Sequence, residues 1–354
     1  MDETGGQGGE PLAAVFERLI ANYGPISIAQ FMGESNARYY AAQDPLGSAG
    51  DFITAPEISQ MFGELIGLWL ADMWIRAGRA ENVHYVELGP GRGTLAMDAL
   101  RAMKRYGLVP QVHFVEGSPA LRALQAQAVP QAHWHDDMET LPADAPLLVV
   151  GNEFLDALPV RQLVRTAQGW RECMVGLGED GFVPVAGDRP MDAAIPAALR
   201  EAGEGTLVET SPASATVVYE LAGRLVRQGG AALLIDYGHD RPRTGSTLQA
   251  IRRHTKVDPF AMPGEADLTC HVDFAAMANV ALSHGARHLG TVTQGHFLRA
   301  LGIEARAARL AELAPEQAGA VRSAMDRLTG DDQMGTLFKV MGIAAPGWPE
   351  GAGL

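Results

Sequence analysis

The apolar positions of the first 80 residues recur at helical spacing. One apolar stripe begins after Pro11 and stops before Gly24, and a proline start with a glycine stop is typical of a helix. The capping pattern Thr54-Ala55-Pro56-Glu57 predicts a second helix, whose apolar stripe extends to Met73. We therefore expect residues 1–80 to form a helical appendage, with a disordered Gly-rich start and a Gly/Pro-rich loop at 44–56 that includes a lid at 50–53.

From about residue 82 short apolar runs alternate with amphipathic segments, which is typical of strand-helix-strand units in a parallel sheet. Helices are expected at 94–106, 118–129 and 212–228. The five predicted parallel strands are His84 to Leu88, Gln111 to Glu116, Ala132 to His135, Leu147 to Gly151 and Ala231 to Asp236. A further strand, helices and a last strand at Thr336 to Ile343 follow residue 286. This pattern predicts an α/β, doubly wound, Rossmann-like core over residues 81–346.

Two segments depart from this alternation. Residues 159–185 alternate at period two around the turn dipeptides Gln168-Gly169 and Asp180-Gly181, so an antiparallel β insertion is predicted at 159–205. Residues 238–285 show little apolar periodicity and are expected to form a long irregular insertion, a kind of loop that is usually functional or disordered. Residues 347–354 are expected to be a mobile tail.

Composition narrows the classes of protein. Of 354 residues 47% are hydrophobic, enough for a folded core, and 28 basic against 42 acidic side chains give a net charge of −14, which disfavours nucleic-acid binding. The two cysteines, Cys173 and Cys270, are too few for a disulfide framework. The start of the chain has no secretory pattern, and Glu64 and Asp72 interrupt the most apolar helix. A cytoplasmic protein without a membrane span is expected.

The strongest chemical signal is the segment from Tyr85 to Ala96. Gly89, Gly91 and Gly93 follow an apolar strand and precede a helix, an arrangement that lets the backbone approach an adenosine-type ligand. The same residues also match the dinucleotide pattern G-x-G-x-x-A. However, the carboxylate of Glu87 would repel a pyrophosphate and attract an ammonium and a sulfonium. The loop therefore favours S-adenosylmethionine over NAD, with a purely structural turn as the remaining alternative.

Further acids end the next two strands. Glu116 ends the second strand, where an acid commonly binds ribose hydroxyls, and both ligand classes use such an acid. Asp136 and Asp137 end the third strand and are predicted to accept from the exocyclic amine of adenine.

These motifs carry a specific resemblance. Residues 87–93, Glu-Leu-Gly-Pro-Gly-Arg-Gly, resemble motif I of class I methyltransferases. The wider set occupies residues 50–56, 152–159, 235–238, 263–269 and 271–274. Together they resemble the MidA family, which includes the mitochondrial complex I assembly factor 7 type of protein arginine methyltransferase, over residues 26–343. The resemblance implies a seven-stranded sheet with an antiparallel last strand, S-adenosylmethionine as cofactor, and methylation of an arginine in a respiratory complex I subunit.

Arginine methylation needs carboxylates, because the guanidinium is protonated and must be gripped and oriented as it loses a proton. Glu153 lies just after the fourth strand, where ligands of open α/β sheets bind, and it is the predicted catalytic acid. Asn152 and Asp156 are its expected neighbours in catalysis, Asn152 as a positioning group. The alternative is that Glu153 and Asp156 are acids at a helix N-terminus.

Other polar residues have two interpretations each. Asp236 and Tyr237 end the fifth strand, and Asp236 is either a second guanidinium partner or an acid that anchors a loop. Thr54, a predicted substrate-binding residue, is either part of a lid over the bound cofactor or only the helix cap. His271 and Asp273, with His239 and His254 nearby in sequence, lack the spacing of a zinc site, so no metal is expected.

The sequence leaves two other functional classes open. One is an assembly chaperone that binds the cofactor but acts by protein contact, because the insertions offer much partner surface. The other is a nicotinamide-dependent dehydrogenase, which Glu87 disfavours.

Overall fold

The computed structural model describes residues 10–42 and 54–354. The expected Gly-rich start and the lid at 50–53 lie outside the described residues. The described chain forms two compact units, each assembled from three stretches: 10–42, 157–212 and 243–270 in the smaller, and 54–156, 213–242 and 271–354 in the larger. This division differs from the predicted one, because the helices expected to form a single appendage belong to different units.

The larger unit is built on a mixed sheet whose seven main strands we number in chain order. They are β1 His84–Leu88, β2 Gln111–Val115, β3 His133–His135, β4 Leu147–Asn152, β5 Gly230–His239, β6 Arg287–Thr293 and β7 Phe338–Ala344. Their order is β6-β7-β5-β4-β1-β2-β3, and Val272–Asp273 pairs with the end of β5. Strands β1 to β5 are mutually parallel, while β7 is antiparallel to β5 and β6. The predicted doubly wound sheet and its antiparallel last strand are confirmed.

Strand order reverses between β1 and β4, because the chain runs β1-β2-β3 to one side and returns to place β4 beside β1. In register, Leu88 of β1 pairs with Gly151 of β4, and Asn152 of β4 pairs with Ile235 of β5. The polar residues that follow these strands therefore leave the sheet side by side. In open α/β sheets this is where ligands bind.

The helices of the larger unit pack on this sheet. They are Ala55–Ile58, Gln60–Arg76, Thr94–Lys104, Pro119–Ala128, Pro212–Gln228, Phe274–Ser283, Gln294–Ala300, Ile303–Leu313, Ala318–Thr329 and Met334–Leu337. The helix predicted from Thr54 is divided by Ser59, whose backbone is extended and whose hydroxyl accepts from the Met61 amide at 3.2 Å. Thr54, predicted as the cap, accepts no side-chain hydrogen bond from the helix that it precedes.

The smaller unit combines the first two helices with antiparallel strands. The helices are Leu12–Tyr23 and Ile28–Ala42, and the strands are Ile26–Ser27, Arg161–Thr166, Gly169–Gly178, Gly181–Pro190 and Leu207–Thr210. The predicted hairpins are confirmed, but each turn lies one residue earlier than predicted, at 167–168 and 179–180, since Thr166 pairs with Gly169 and Gly178 with Gly181. The expectation of an irregular segment at 238–285 is wrong: a second small sheet forms from Gln249–Arg252, Thr255–Val257 and Asp267–Thr269.

The last residues are not the mobile tail that was expected. The Trp69 indole donates to the Ala352 carbonyl at 3.1 Å, and Leu354 packs against Gly290 and Gly342 of strands β6 and β7. The glycine-rich sequence suggested mobility, but glycines at 290 and 342 leave the space that the terminal leucine fills. Across residues 10–42 and 54–354, no helix has the length and apolar character of a membrane span.

Candidate functional site

Three glycines shape the loop between β1 and the helix Thr94–Lys104. Gly89, Gly91 and Gly93 have φ values of 60°, 55° and 82°, a region that side chains with a Cβ rarely adopt. A Cβ on Gly89 would lie 2.9 Å from the Phe154 ring, and one on Gly93 would lie 3.3 Å from the Ala128 Cβ. The predicted role of these glycines in a tight loop before a helix N-terminus agrees with this geometry.

Glu87 lies on β1, two residues before the loop, and its side chain is fully buried. The Tyr85 hydroxyl donates to Glu87 Oε2 at 2.6 Å. Burial raises the pKa of Glu87 to about 8, and the hydroxyl hydrogen bond lowers it only in part. The carboxyl is therefore mostly protonated at pH 7 in the chain alone, whereas a cation placed beside it would favour the ionised form.

Glu116 follows β2, and its carboxylate is held by hydrogen bonds from nearby residues. Its Oε1 accepts from the Ser118 amide at 2.8 Å, and its Oε2 accepts from Gln125 Nε2 at 3.1 Å. Burial raises the pKa of Glu116, and these hydrogen bonds oppose that shift. Each carboxylate oxygen has a second lone pair, so the acid retains acceptor capacity for hydroxyl groups of a ligand.

Asp136 and Asp137 are exposed and make local contacts. Asp136 pairs with Arg122 at 2.6 Å, and Asp137 accepts from the Glu139 amide at 2.9 Å. No hydrogen bond found among the described residues joins either acid to the glycine loop. Their assignment to adenine stays a prediction.

Asn152 and Glu153 lie next to each other at the end of β4, and the backbone of Glu153 is strained. Glu153 has φ of +52°, a conformation that costs about 1–3 kcal/mol in a residue other than glycine and is often found at functional sites. Its Oε1 accepts from Asn152 Nδ2 at 3.2 Å and from the Ala55 amide at 3.4 Å. In the described part of the chain, Asn152 Oδ1 is buried without a hydrogen-bond partner. A buried acceptor without a donor is uncommon in folded proteins, which sets this position apart.

Asp236 is held by the backbone amides around it, and its role as a second guanidinium partner stays a prediction. Its Oδ2 accepts from the amides of Phe154, Leu155 and Asp156 at 2.9–3.2 Å, and its Oδ1 accepts from the Tyr237 amide at 3.0 Å. Burial raises the pKa of Asp236 to about 7, against these hydrogen bonds. The structure supports the other interpretation, in which Asp236 anchors a loop.

The residues around Asn152 and Glu153 differ from several expectations. Residues 153–160, all described, form bends and turns, so the alternative that Glu153 and Asp156 begin a helix is wrong. Asp156 is buried beside Asp236, to which its amide donates. The Tyr237 ring packs against Phe338 at 4.2 Å and is nearly parallel to His271 at 6.4 Å. Thr54 is brought next to Glu153 by the Ala55 amide contact.

Several residues of the site were not anticipated. Tyr85 could have been found, because strand alternation places positions 85 and 87 on one face. Phe154, Gln125 and Trp134 gave no local signal, since their contacts with the loop region depend on the fold. No group of three or more potential metal ligands occurs among residues 10–42 and 54–354. His271, Asp273, His239 and His254, whose spacing was considered for a zinc site, are not part of such a group.

The polar groups and glycines of this site fit S-adenosylmethionine. The three glycines leave room for a ligand against the backbone, Glu87 offers a buried carboxyl to a cation, and Glu116 retains acceptors for hydroxyls.

Comparisons with known proteins agree with the assignment of this site to S-adenosylmethionine. The model of a family of S-adenosyl-L-methionine-dependent methyltransferases matches residues 65–292. A mitochondrial protein arginine methyltransferase NDUFAF7 homolog of Drosophila melanogaster is 36% identical over 94% of this chain and 84% of its own length. NDUFAF7 of Mus musculus is 34% identical over 90% and 81%. A crystal structure from Burkholderia thailandensis, bound to S-adenosyl-homocysteine, is 31% identical with a TM-score of 0.85, covering 97% of this chain and 93% of its own.

These matches confirm the resemblance drawn from the motifs and correct the expected compartment. The relatives are named as mitochondrial proteins, which contradicts the expectation of a cytoplasmic protein. That expectation depended on the absence of a targeting pattern at the start of the chain, a feature from which the compartment does not follow.

Proposed function

Because the chain belongs to this family of S-adenosyl-L-methionine-dependent methyltransferases, we propose that it transfers a methyl group to an arginine side chain of a protein. Support for arginine comes from the relatives, which are named protein arginine methyltransferases. Support from the structure comes from the Asn152–Glu153 pair at the switch point of the sheet. The observation that carries the proposal is the buried, unpartnered Oδ1 of Asn152.

A guanidinium suits this pair chemically. It offers five N–H donors in a plane and carries a positive charge, so it needs both a carboxylate and further acceptors. Two donors, Asn152 Nδ2 and the Ala55 amide, hold Glu153 Oε1 and so fix the carboxylate. Glu153 then grips and orients the guanidinium and accepts its proton, while Asn152 Oδ1 accepts a second N–H. Asp156, buried behind them, supports the turn.

The cofactor supplies an electrophilic methyl group on a sulfonium when it is bound. In our proposal the residues that hold it are Glu87, Gly89, Gly91, Gly93 and Glu116, with Asp136 and Asp137 at the adenine end. Glu87 binds the positively charged amino-acid part, and Glu116 binds the ribose hydroxyls. The remaining site residues in our proposal, Asp236, Tyr237 and Thr54, form the substrate side of the site.

The protein substrate that we propose is a subunit of respiratory complex I, as the resemblance to the complex I assembly factor 7 type implies. The experiment compares arginine methylation by mass spectrometry in cells with the intact gene, cells lacking it, and cells that carry Glu153→Gln. We expect at least one complex I arginine to lose its methyl groups in the last two. Glu139→Gln, the same change at an exposed residue of the larger unit, is the matched control and should restore methylation.

Two outcomes would contradict the proposal. Unchanged arginine methylation in cells lacking the gene would remove arginine as the target. Restored complex I assembly by Glu153→Gln without methylation would instead favour the chaperone alternative, in which the protein acts by contact.

A further inference from the structure

Gln125 is a buried glutamine whose three polar contacts reach three different parts of the larger unit. It lies on the helix Pro119–Ala128 and is fully buried. Its Nε2 donates to the Gly91 carbonyl at 2.7 Å and to Glu116 Oε2 at 3.1 Å, and its Oε1 accepts from the Trp134 indole at 2.8 Å. One side chain therefore connects the glycine loop, the acid after β2, and strand β3.

The Trp134 contact fixes which way this amide faces. An indole N–H can only donate, so it requires the carbonyl end of Gln125. The two N–H groups must then face Gly91 and Glu116, where both partners are acceptors. Reversing the amide would place an N–H against the indole N–H and a carbonyl against two oxygens, leaving buried polar groups unpaired, which is costly.

These contacts act on the two groups that we assign to the cofactor. Peptide units are planar, so holding the Gly91 carbonyl fixes the plane of the whole Gly91–Arg92 peptide in the loop. The hydrogen bond to Glu116 fixes the rotation of its carboxylate. Gly93 also lies against this helix, since a Cβ there would be 3.3 Å from the Ala128 Cβ.

We propose that Gln125 is a positioning residue of the cofactor site, which holds the glycine loop and Glu116 in their binding geometry, and that Trp134 acts through Gln125. The proposal rests on the assignment of that loop and acid to the cofactor. It does not depend on which substrate is methylated.

The test is calorimetric titration of the purified protein with two probes, S-adenosylhomocysteine and 5′-methylthioadenosine. The second probe lacks the amino-acid part, so it reports the adenosine end alone. Gln125→Glu places a carboxylate against two acceptors, and we expect about a 100-fold rise in Kd for both probes. Trp134→Phe removes one donor and should raise Kd about tenfold. Gln127→Glu, the same substitution at an exposed position of the same helix, is the control and should leave Kd unchanged.

A double-mutant cycle separates positioning from a general loss of stability. In a Gln125→Met background, Trp134→Phe should cause no further rise in Kd, because the group through which it acts is absent. Melting temperatures of all variants are recorded in parallel, and titrations are run well below them. A tenfold effect of Trp134→Phe that persists in the Met background would overturn the role of Trp134.

Unchanged Kd values in Gln125→Glu, with only a lower melting temperature, would overturn the role of Gln125 and leave it a structural residue. A failure of the proposed function is recognised separately. If the intact protein binds neither probe, the cofactor assignment itself is wrong; if it binds both but methylates no arginine, only the substrate proposal is lost.

Discussion

The raised pKa of Glu87 predicts that the affinity for the cofactor depends on pH. In the chain alone this buried carboxyl has a pKa of about 8. If the cofactor cation requires the ionised form, the binding-competent fraction is about 1% at pH 6.0 and about 24% at pH 7.5, from the titration equation with that pKa. The affinity for S-adenosylhomocysteine should therefore rise about 25-fold from pH 6.0 to 7.5. This pH range lies below the ordinary pKa of an α-amino group, about 7.7–8, so the amino group of the ligand stays mostly charged.

The proton that Glu87 loses must appear in solution. At pH 7.0 about nine-tenths of the Glu87 carboxyls are protonated, so binding should release close to one proton per ligand. Calorimetry in two buffers of different ionisation enthalpy measures this number directly. The sign is definite: raising the pH strengthens binding, because an acid whose pKa is high in the empty site ionises as the cation enters.

Two variants isolate this effect from other titrating groups. Glu87→Gln resembles the protonated acid and keeps an acceptor for Tyr85, so it should fold, bind more weakly at pH 7.5, and lose the pH dependence. Tyr85→Phe removes the hydroxyl that lowers the Glu87 pKa, so the rise in affinity should move to higher pH. Equal Kd values at pH 6.0 and 7.5 in the intact protein, without proton release, would refute the reasoning.

Two further predictions concern folding. Gly89→Ala should lower the free energy of unfolding by about 1–3 kcal/mol, because φ is +60° and a Cβ would lie 2.9 Å from the Phe154 ring. Gly319→Ala is the control and should not lower it, because a Cβ there would meet nothing within 4 Å. Urea denaturation measures both variants, and equal stabilities would contradict the strain argument. Burial and neighbouring histidines lower the pKa of His113 to about 4, below its unfolded value near 6.5, so stability should fall as pH drops from 6.5 to 4. His113→Phe removes up to one proton from the difference between the unfolded and folded states, so the free energy of unfolding should fall less steeply with pH, by up to about 1.4 kcal/mol per pH unit. An unchanged slope would exclude His113 as the source of the fall.

The central sheet could be predicted because its strands carry their own signal. β4 and most of β5 are continuous apolar runs bounded by polar or glycine residues, as strands buried on both faces must be, whereas β1 also carries His84 and Glu87. The glycine loop was predicted for a similarly local reason, since three positive-φ positions within five residues require glycine. The hairpins at 161–190 were found from their turn dipeptides.

What could not be predicted depends on contacts between distant segments. The helices expected at 1–80 share one amphipathic pattern, and nothing in that pattern says that Leu12–Tyr23 and Gln60–Arg76 belong to different units. The sheet at 249–269 has strands of only three or four residues, too short to show a period. Gln125 lies 34 residues from Gly91 in sequence, so their contact follows only from the packing of helix and loop.

The position of Asp236 shows why the end of a strand does not by itself determine the role of an acid. Its sequence context, at the carboxyl end of β5, is the same as that of a ligand-binding acid, and the distinction comes from the amides that surround it. By accepting from three successive amides after Glu153, Asp236 holds the turn that leaves Glu153 at φ of +52°. The amide of Glu153 donates to the Ile235 carbonyl at 2.9 Å, directly before Asp236. One acid thus stabilises the strained backbone of another, and in our proposal Glu153 binds the substrate.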